Sequence, residues 1–134
     1  MSIQASPATN DGPTDMTTRY VDGFVIAVPR ERLKEYERSA RDVASVLREH
    51  GSLQVVETVA DDVPYGELTS FPRAVQATDD ETVIFSWIAY ESREARDEVN
   101  AKVIADPRIK DHMNKVPFDP KRMVFGGFHT IVEH

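Results

Sequence analysis

Four charged or ionisable side chains are spaced along the sequence where they could serve one ligand cavity: Asp22, Glu57, Arg73 and His129. If the first and last strands pair antiparallel, Asp22 falls near His129. An aspartate that accepts a hydrogen bond from an imidazole fixes the tautomer of the imidazole and raises the pKa of the imidazole. This pair would therefore provide a general base. The alternative is structural, with Asp22 bonded to the backbone or to Tyr20 and His129 partly exposed.

Glu57 and Arg73 are the other two candidates. Glu57 falls on the more apolar side of its predicted strand. A carboxylate that faced a cavity without a cation would have a raised pKa, which is typical of functional acids. The alternative for Glu57 is an ion pair with an arginine such as Arg73. Arg73 is the only cation between Asp61 and Glu81, so it would hold a ligand's carboxylate or phosphate or neutralise the acids around it, and we favour the acids.

Aromatic residues recur on the strands that would carry these groups. Trp87, with Phe24, Phe85 and Phe125, would form an aromatic pocket with one N–H donor, which suits a flat organic ligand. Ser86 and Trp87 point to opposite faces of their strand, so only one of them would line a cavity. Aromatic side chains at strand spacing also form plain core or a dimer interface, and that alternative stays open.

No metal or cofactor site is expected. The acids around Arg73 could supply the oxygen ligands of a hard cation, but their spacing fits no calcium loop, and solvated turns account for them better. The four histidines lack metal-ligand spacing, and the chain has no cysteine. Gly126-Gly127 lies within a predicted strand and not before a helix, so it indicates a bulge or close packing and not a phosphate loop.

Strand and helix patterns alternate in an order that predicts a ferredoxin-like α+β fold. The order is strand, helix, strand, strand, helix, strand, which places two helices on one face of an antiparallel four-stranded sheet of order 4-1-3-2. Gly51 is expected to end the first helix, and Asp106-Pro107 to close the second and start a further turn. The predicted strands are Tyr20–Val28, Leu53–Ala60, Thr82–Tyr90 and Met123–Val132, and the predicted helices are 30–50 and Arg93–Ala105.

The sheet is expected to have one uncovered apolar face. Three strands carry apolar residues on both faces, and a large exposed apolar surface usually marks an interface. We therefore expect a homodimer that packs sheet against sheet and encloses a cavity between or within its subunits. In the first strand the small residues Val21, Gly23, Val25 and Ala27 are predicted to face the helices, and the bulkier Tyr20, Asp22, Phe24 and Ile26 to face the cavity.

The composition disfavours some classes of binding partner. Sixteen basic against twenty-three acidic residues give a net charge of −7, which disfavours binding to nucleic acid or to an anionic membrane. No apolar run approaches the roughly 20 residues of a membrane span. The polar segment 1–18 is expected to be a disordered tail and not a signal peptide. One cytoplasmic domain over 19–134 is the prediction.

Three long phrases point to one family: DDVPYGELTSFPRAV, DETVIFSWIAY and PFDPKRMVFGGF. They resemble the YbaA-like family of bacterial proteins, a domain of unknown function, and the resemblance runs from Tyr20 to roughly Phe128. It implies membership of the dimeric α/β-barrel proteins of ferredoxin-like fold, which include monooxygenases that act on aromatic or polyketide-like substrates. It implies no catalytic residue, because the family's activity is uncharacterised.

Two functions are consistent with these residues. The first is a homodimeric small-molecule-binding protein, by fold analogy a cofactor-independent enzyme, in which Asp22, Glu57 and His129 supply acid and base, Arg73 contacts an anion and Trp87 stacks on the ligand. The second is a non-catalytic interaction or stress-related module whose sheet face is only a dimer core. An open cavity lined by polar groups would favour the first.

Overall fold

The computed structural model describes residues 19–134, and the predicted tail 1–18 lies outside them. The strands are β1 (Tyr20–Pro29), β2 (Gln54–Val59), β3 (Glu81–Tyr90) and β4 (Val124–His129), and the helices are α1 (Leu33–His50), α2 (Phe71–Ala74), α3 (Arg93–Ala105) and α4 (Pro107–Met113). The strands pair antiparallel in the order β2-β3-β1-β4, which confirms the predicted ferredoxin-like fold. Among the residues described, no helix has both the length and the apolar content needed to cross a bilayer.

The helices begin and end at residues that the sequence marks. Gly51 ends α1 with a φ of 121°, in the region where glycine has no steric penalty. Ser92 caps α3, because its hydroxyl accepts from the backbone N–H of Ala95 at 3.0 Å. Asp106 caps α4 by accepting from the N–H of Arg108 at 2.9 Å. These are the ends that the pattern predicts.

The bulky side chains of β1 face the helices, so the prediction that its small residues do so was wrong. Ile26 and Phe24 pack with Tyr36 of α1 in the core between the sheet and the helices. Val21 and Gly23 lie on the other face. The reason is packing density: the space between a helix layer and a sheet must be filled by large side chains, or it is left as a void.

The face of the sheet opposite α1 and α3 is apolar and largely open. The register places Phe85, Trp87 and Phe128 there, and Phe85 and Phe128 are 44% and 65% exposed. One end of this face is covered by the connection between β2 and β3, in which Val75 is fully buried against Ala27. The rest of the face is the apolar surface that the sequence predicts.

Gly126-Gly127 forms no bulge, because the pairing of β4 with β1 continues through both residues, and of the two it is Gly127 that serves close packing. A Cβ on Gly127 would lie 2.3 Å from the hydroxyl oxygen of Tyr20, so the ring of Tyr20 occupies the space that a side chain would need. A Cβ on Gly126, on the other face, would meet the ring of Phe128 at 3.8 Å, an ordinary contact.

Gly127→Ala is therefore expected to destabilise the fold by about 1–3 kcal/mol, the usual cost of an overpacked site. Urea denaturation followed by circular dichroism measures the change in the free energy of unfolding. Gly126→Ala is the matched control, because it adds the same methyl group to the same strand. A Gly127→Ala protein as stable as the wild type would contradict the close packing of Tyr20 on β4.

Candidate functional site

One row of side chains crosses the sheet on its helix-covered face. Ser86 on β3 lies opposite both Glu57 on β2 and Phe24 on β1. Phe24 lies opposite Phe125 on β4, and their rings stack with centroids 6.5 Å apart. Since Cβ atoms of directly opposed residues are about 4.5–5.5 Å apart, an acid, a hydroxyl and two aromatic rings form a continuous line.

A cavity of about 230 Å³ lies between this row and the helices. A second cavity, of about 360 Å³, shares Tyr36 and Glu57 with it, so these two side chains stand at the boundary between the two cavities. The lining of the first is mostly apolar, which suits an organic ligand, and its few polar groups would fix the orientation of that ligand. Those polar residues are Tyr36, Ser39, Glu57, Ser86 and His112.

Glu57 is held by a neutral partner. The hydroxyl of Tyr36 donates to Glu57 Oε1 at 2.7 Å. Glu57 is an exposed residue of β2, but desolvation of its carboxyl group by the surrounding side chains raises its pKa, and the Tyr36 hydrogen bond lowers it only in part. Burial also raises the pKa of Tyr36, and the charge of Glu57 adds to the effect, so the phenol keeps its proton and remains a donor. A carboxylate with a raised pKa is a stronger base when ionised, so Glu57 is suited to accept a proton from a ligand.

Within the described residues, the ion pair that was the alternative for Glu57 is not formed. Arg73 instead donates to the carbonyl oxygens of Tyr65 at 2.9 Å and Gly66 at 3.1 Å, and its guanidinium lies 3.8 Å from the centroid of the Tyr65 ring. The acids that we favoured as partners of Arg73 are not its hydrogen-bond partners. The backbone carbonyls of a turn are nearer, because Gly66 adopts a φ of 70° and folds the chain back toward α2. Arg73 therefore holds this turn closed and does not line the cavity.

Ser86 adds a hydroxyl to the floor of the cavity. It is 3% exposed and lines the cavity from the centre of the sheet. Its hydroxyl can donate and accept a hydrogen bond, so a polar atom of a ligand in the cavity would find a partner here. Trp87 points to the other face, as the alternation of β3 requires.

Asp22 is paired with Arg96 and not with His129. Arg96 of α3 donates from Nη1 to Asp22 Oδ1 at 2.6 Å, and its guanidinium lies 5.0 Å from the centroid of the Tyr20 ring. Burial raises the pKa of Asp22, and Arg96 partly offsets this. His129 lies opposite Tyr20 at the exposed end of β4. The predicted hydrogen bond between Asp22 and His129 is not formed, because Arg96 reaches the carboxylate from the helix layer above it.

The predicted aromatic pocket is divided between the two faces of the sheet. Phe24 and Phe125 lie on the helix-covered face, whereas Trp87 and Phe85 are on the open face, with ring centroids 5.7 Å apart. A single strand cannot present neighbouring residues to one side. Phe24 lines the cavity, Phe125 extends the row to the edge of the sheet, and Trp87 belongs to the open apolar face.

The sequence did not identify Tyr36 as a site residue or Arg96 as the partner of Asp22, and it left open whether Ser86 or Trp87 lines the cavity, which the structure assigns to Ser86. A signal for Tyr36 was present, because it lies on the apolar stripe of its helix and Glu57 on the apolar side of the next strand. Which helical residue reaches which strand residue depends on the packing of α1 across the sheet, and periodicity does not contain that information.

The raised pKa of Glu57 predicts a specific dependence of stability on pH. The folded protein binds a proton at Glu57 more tightly than the unfolded chain, so the free energy of unfolding falls as pH rises from the ordinary glutamate range to the raised native pKa. The Glu57→Gln protein has no such decrease. Its free energy of unfolding should therefore rise relative to that of the wild type as pH rises through that window. Urea denaturation at several pH values measures the difference, with the exposed Glu67→Gln as control. If the free energies of unfolding of the wild type and Glu57→Gln differ by the same amount at every pH, the pKa of Glu57 is not raised.

Solved structures with this fold have little sequence in common with the chain. SnoaB from Streptomyces nogalater, described as a cofactor-independent oxygenase, has a TM-score of 0.57 at 12% identity, and the match covers 87% of this chain and 96% of SnoaB. A structure from an uncultured marine organism, described as a dimeric ferredoxin-like protein, has a TM-score of 0.55 at 14% identity, over 86% of this chain and 97% of its own. These likenesses support the fold alone.

Sequence relatives are much closer. The uncharacterized protein YbaA of Escherichia coli strain K12 is 47% identical over 115 residues, which are 86% of this chain and 98% of YbaA. The sequence pattern of a family described as protein of unknown function (DUF1428) matches residues 19–120. The chain belongs to this DUF1428 family, in which YbaA is its uncharacterised relative.

Proposed function

We propose that the protein is a homodimer that binds a small, flat organic molecule in the cavity between the helices and the sheet, with Glu57 as acceptor for an acidic proton of that molecule. The observation that carries the proposal is the bond of Glu57 to Tyr36 at the boundary of two cavities with mostly apolar linings. The buried carboxylates Asp22 and Glu81 each have an arginine partner. Glu57 has a tyrosine, which orients it without neutralising it.

The ligand class follows from the lining. The ring of Phe24 and the aliphatic wall favour an aromatic or conjugated ligand. An acidic O–H, such as that of a phenol or enol, would donate to Glu57, and the same proton would then move to the carboxylate and leave a phenolate or enolate. If the protein is an enzyme, this proton transfer is the step that Glu57 would catalyse.

Fold likeness adds a reaction class to this proposal. SnoaB is described as a cofactor-independent oxygenase, and chemistry of that kind would need no more from this chain than binding, orientation and proton removal. The alternative, a non-catalytic module whose sheet face is only a dimer core, concerns the open face. The cavity lies on the other side of the sheet from that face, so the dimer and the ligand site need not compete for one surface.

The dimer is proposed to form through the open sheet face. Phe85 and Phe128 leave an apolar surface there that a second copy would remove from water. The marine protein of the same fold is described as dimeric, which supports a dimer but not a particular interface.

The protein is expected to sediment as a dimer at micromolar concentration, and Phe128→Asp is expected to convert it to a monomer by placing a charge in the interface. Analytical ultracentrifugation measures both. Ile104→Asp is the control, because Ile104 is an exposed apolar residue of α3 on the helix side. A wild-type monomer, or a Phe128→Asp protein that dimerises as tightly as the wild type, would rule out this interface.

Two matched probes test the ligand proposal: 2-naphthol, which has an acidic O–H, and 2-methoxynaphthalene, which lacks it. In isothermal titration calorimetry the wild-type protein should bind 2-naphthol more tightly than 2-methoxynaphthalene. Glu57→Gln should weaken 2-naphthol binding about tenfold, since a charge-assisted hydrogen bond becomes a neutral one, and should leave the methyl ether unaffected. Failure of both probes to bind, or equal binding of 2-naphthol by the two proteins, would refute the role of Glu57.

A further inference from the structure

A second polar pair lines the same cavity from the helix layer. Ser39 Oγ of α1 lies 3.1 Å from His112 Nδ1 of α4, and both residues line the cavity. The two residues are 73 positions apart in the chain, so packing of α4 on α1 brings them together, and the bond is not a local helix cap. The Ser39 hydroxyl is directed across the helix interface toward the imidazole at the cavity wall.

The pair of Ser39 and His112 can donate a hydrogen bond to a ligand in the cavity. Asp42 Oδ2, one turn along α1 from Ser39, lies 3.9 Å from His112 Nε2. Ser39 can donate a hydrogen bond to a ligand when Nδ1 of His112 carries a proton. The imidazole then donates to Ser39 Oγ, and the hydroxyl hydrogen of Ser39 is free.

The two polar sets lie on opposite walls. Glu57 and Ser86 belong to the sheet, and Ser39 and His112 belong to the helices. Apolar side chains such as Val43 line the cavity beside them. A ligand that spans the cavity would therefore meet a proton acceptor on one wall and a proton donor on the other.

We propose that Ser39 and His112 form a second ligand-binding group, which selects molecules that carry a carboxylate or carbonyl oxygen in addition to the acidic O–H that Glu57 accepts. The ligand class is thus a hydroxyaryl or enolic acid or ketone. The carboxylate of Glu57 would repel an anionic group on the sheet wall, so the charge of the ligand would fix its orientation as well as its affinity. This inference rests on the proposed function of Glu57.

The test compares 6-hydroxy-2-naphthoate, whose hydroxyl and carboxylate lie at opposite ends of a flat ring system, with 2-naphthol. Calorimetry on the wild type should give affinity for the naphthoate on the order of tenfold above that for 2-naphthol, the contribution of one hydrogen bond to a charged group. Ser39→Ala and His112→Phe should each remove most of that preference and leave 2-naphthol binding unchanged. Ser45→Ala, on the exposed face of the same helix, is the matched control and should keep the preference.

The outcomes separate the two proposals. If 2-naphthol binds in a Glu57-dependent way but Ser39→Ala leaves the preference for the naphthoate intact, the second binding group is refuted and the proposed function stands. If Ser39→Ala weakens both ligands equally, its effect is on packing and the inference fails. If neither compound binds the wild type, the proposed function fails and this inference fails with it.

Discussion

Continuous antiparallel pairing across the whole sheet, of β2 with β3, of β3 with β1 and of β1 with β4, is the constraint on which the rest of the structure depends. Because side chains alternate along a strand, this one register decides which residues meet the helices and which remain on the open face. It aligns Glu57, Ser86, Phe24 and Phe125 in one row. A slip by one residue would move the acid out of the cavity, so the register specifies the site as well as the fold.

The acids near the core show how the protein treats a buried charge when no ligand is involved. Glu81 is bound by Arg122 at 2.7 Å, which lowers the pKa of Glu81 to about 2. Asp22 has Arg96 at 2.6 Å. Breaking such pairs is costly, because the remaining charge is left without a partner. Glu57 differs from both, since it is an exposed residue and its partner is the neutral phenol of Tyr36. The fold therefore keeps an acid with a raised pKa at a cavity wall.

Much of the fold follows from the sequence, because local signals and element order agree. Gly51 and Asp106-Pro107 mark helix ends by backbone rules that act within one turn, and the apolar run of β3 identifies a central strand. The faces of β1 were assigned the wrong way round, since alternation of small and large residues does not reveal which layer each set meets. The segment around Pro72 forms the short helix α2, and four residues are too few to show a periodicity that would predict it.

Less of the candidate site than of the fold could be predicted from the sequence. Glu57 could be chosen because an acid on an apolar strand face is unusual, and the cavity was expected between or within the subunits. Its partner Tyr36, and the pairing of Asp22 with Arg96, depend on how α1 and α3 cross the sheet, which is set by packing and not by spacing.

A crystal structure of the protein with bound 2-naphthol tests the central claim most directly. The account predicts the naphthalene ring between α1 and the sheet, with its oxygen within hydrogen-bonding distance of a Glu57 carboxylate oxygen. A naphthol bound against Trp87 on the open face, with the inner cavity empty, would contradict it.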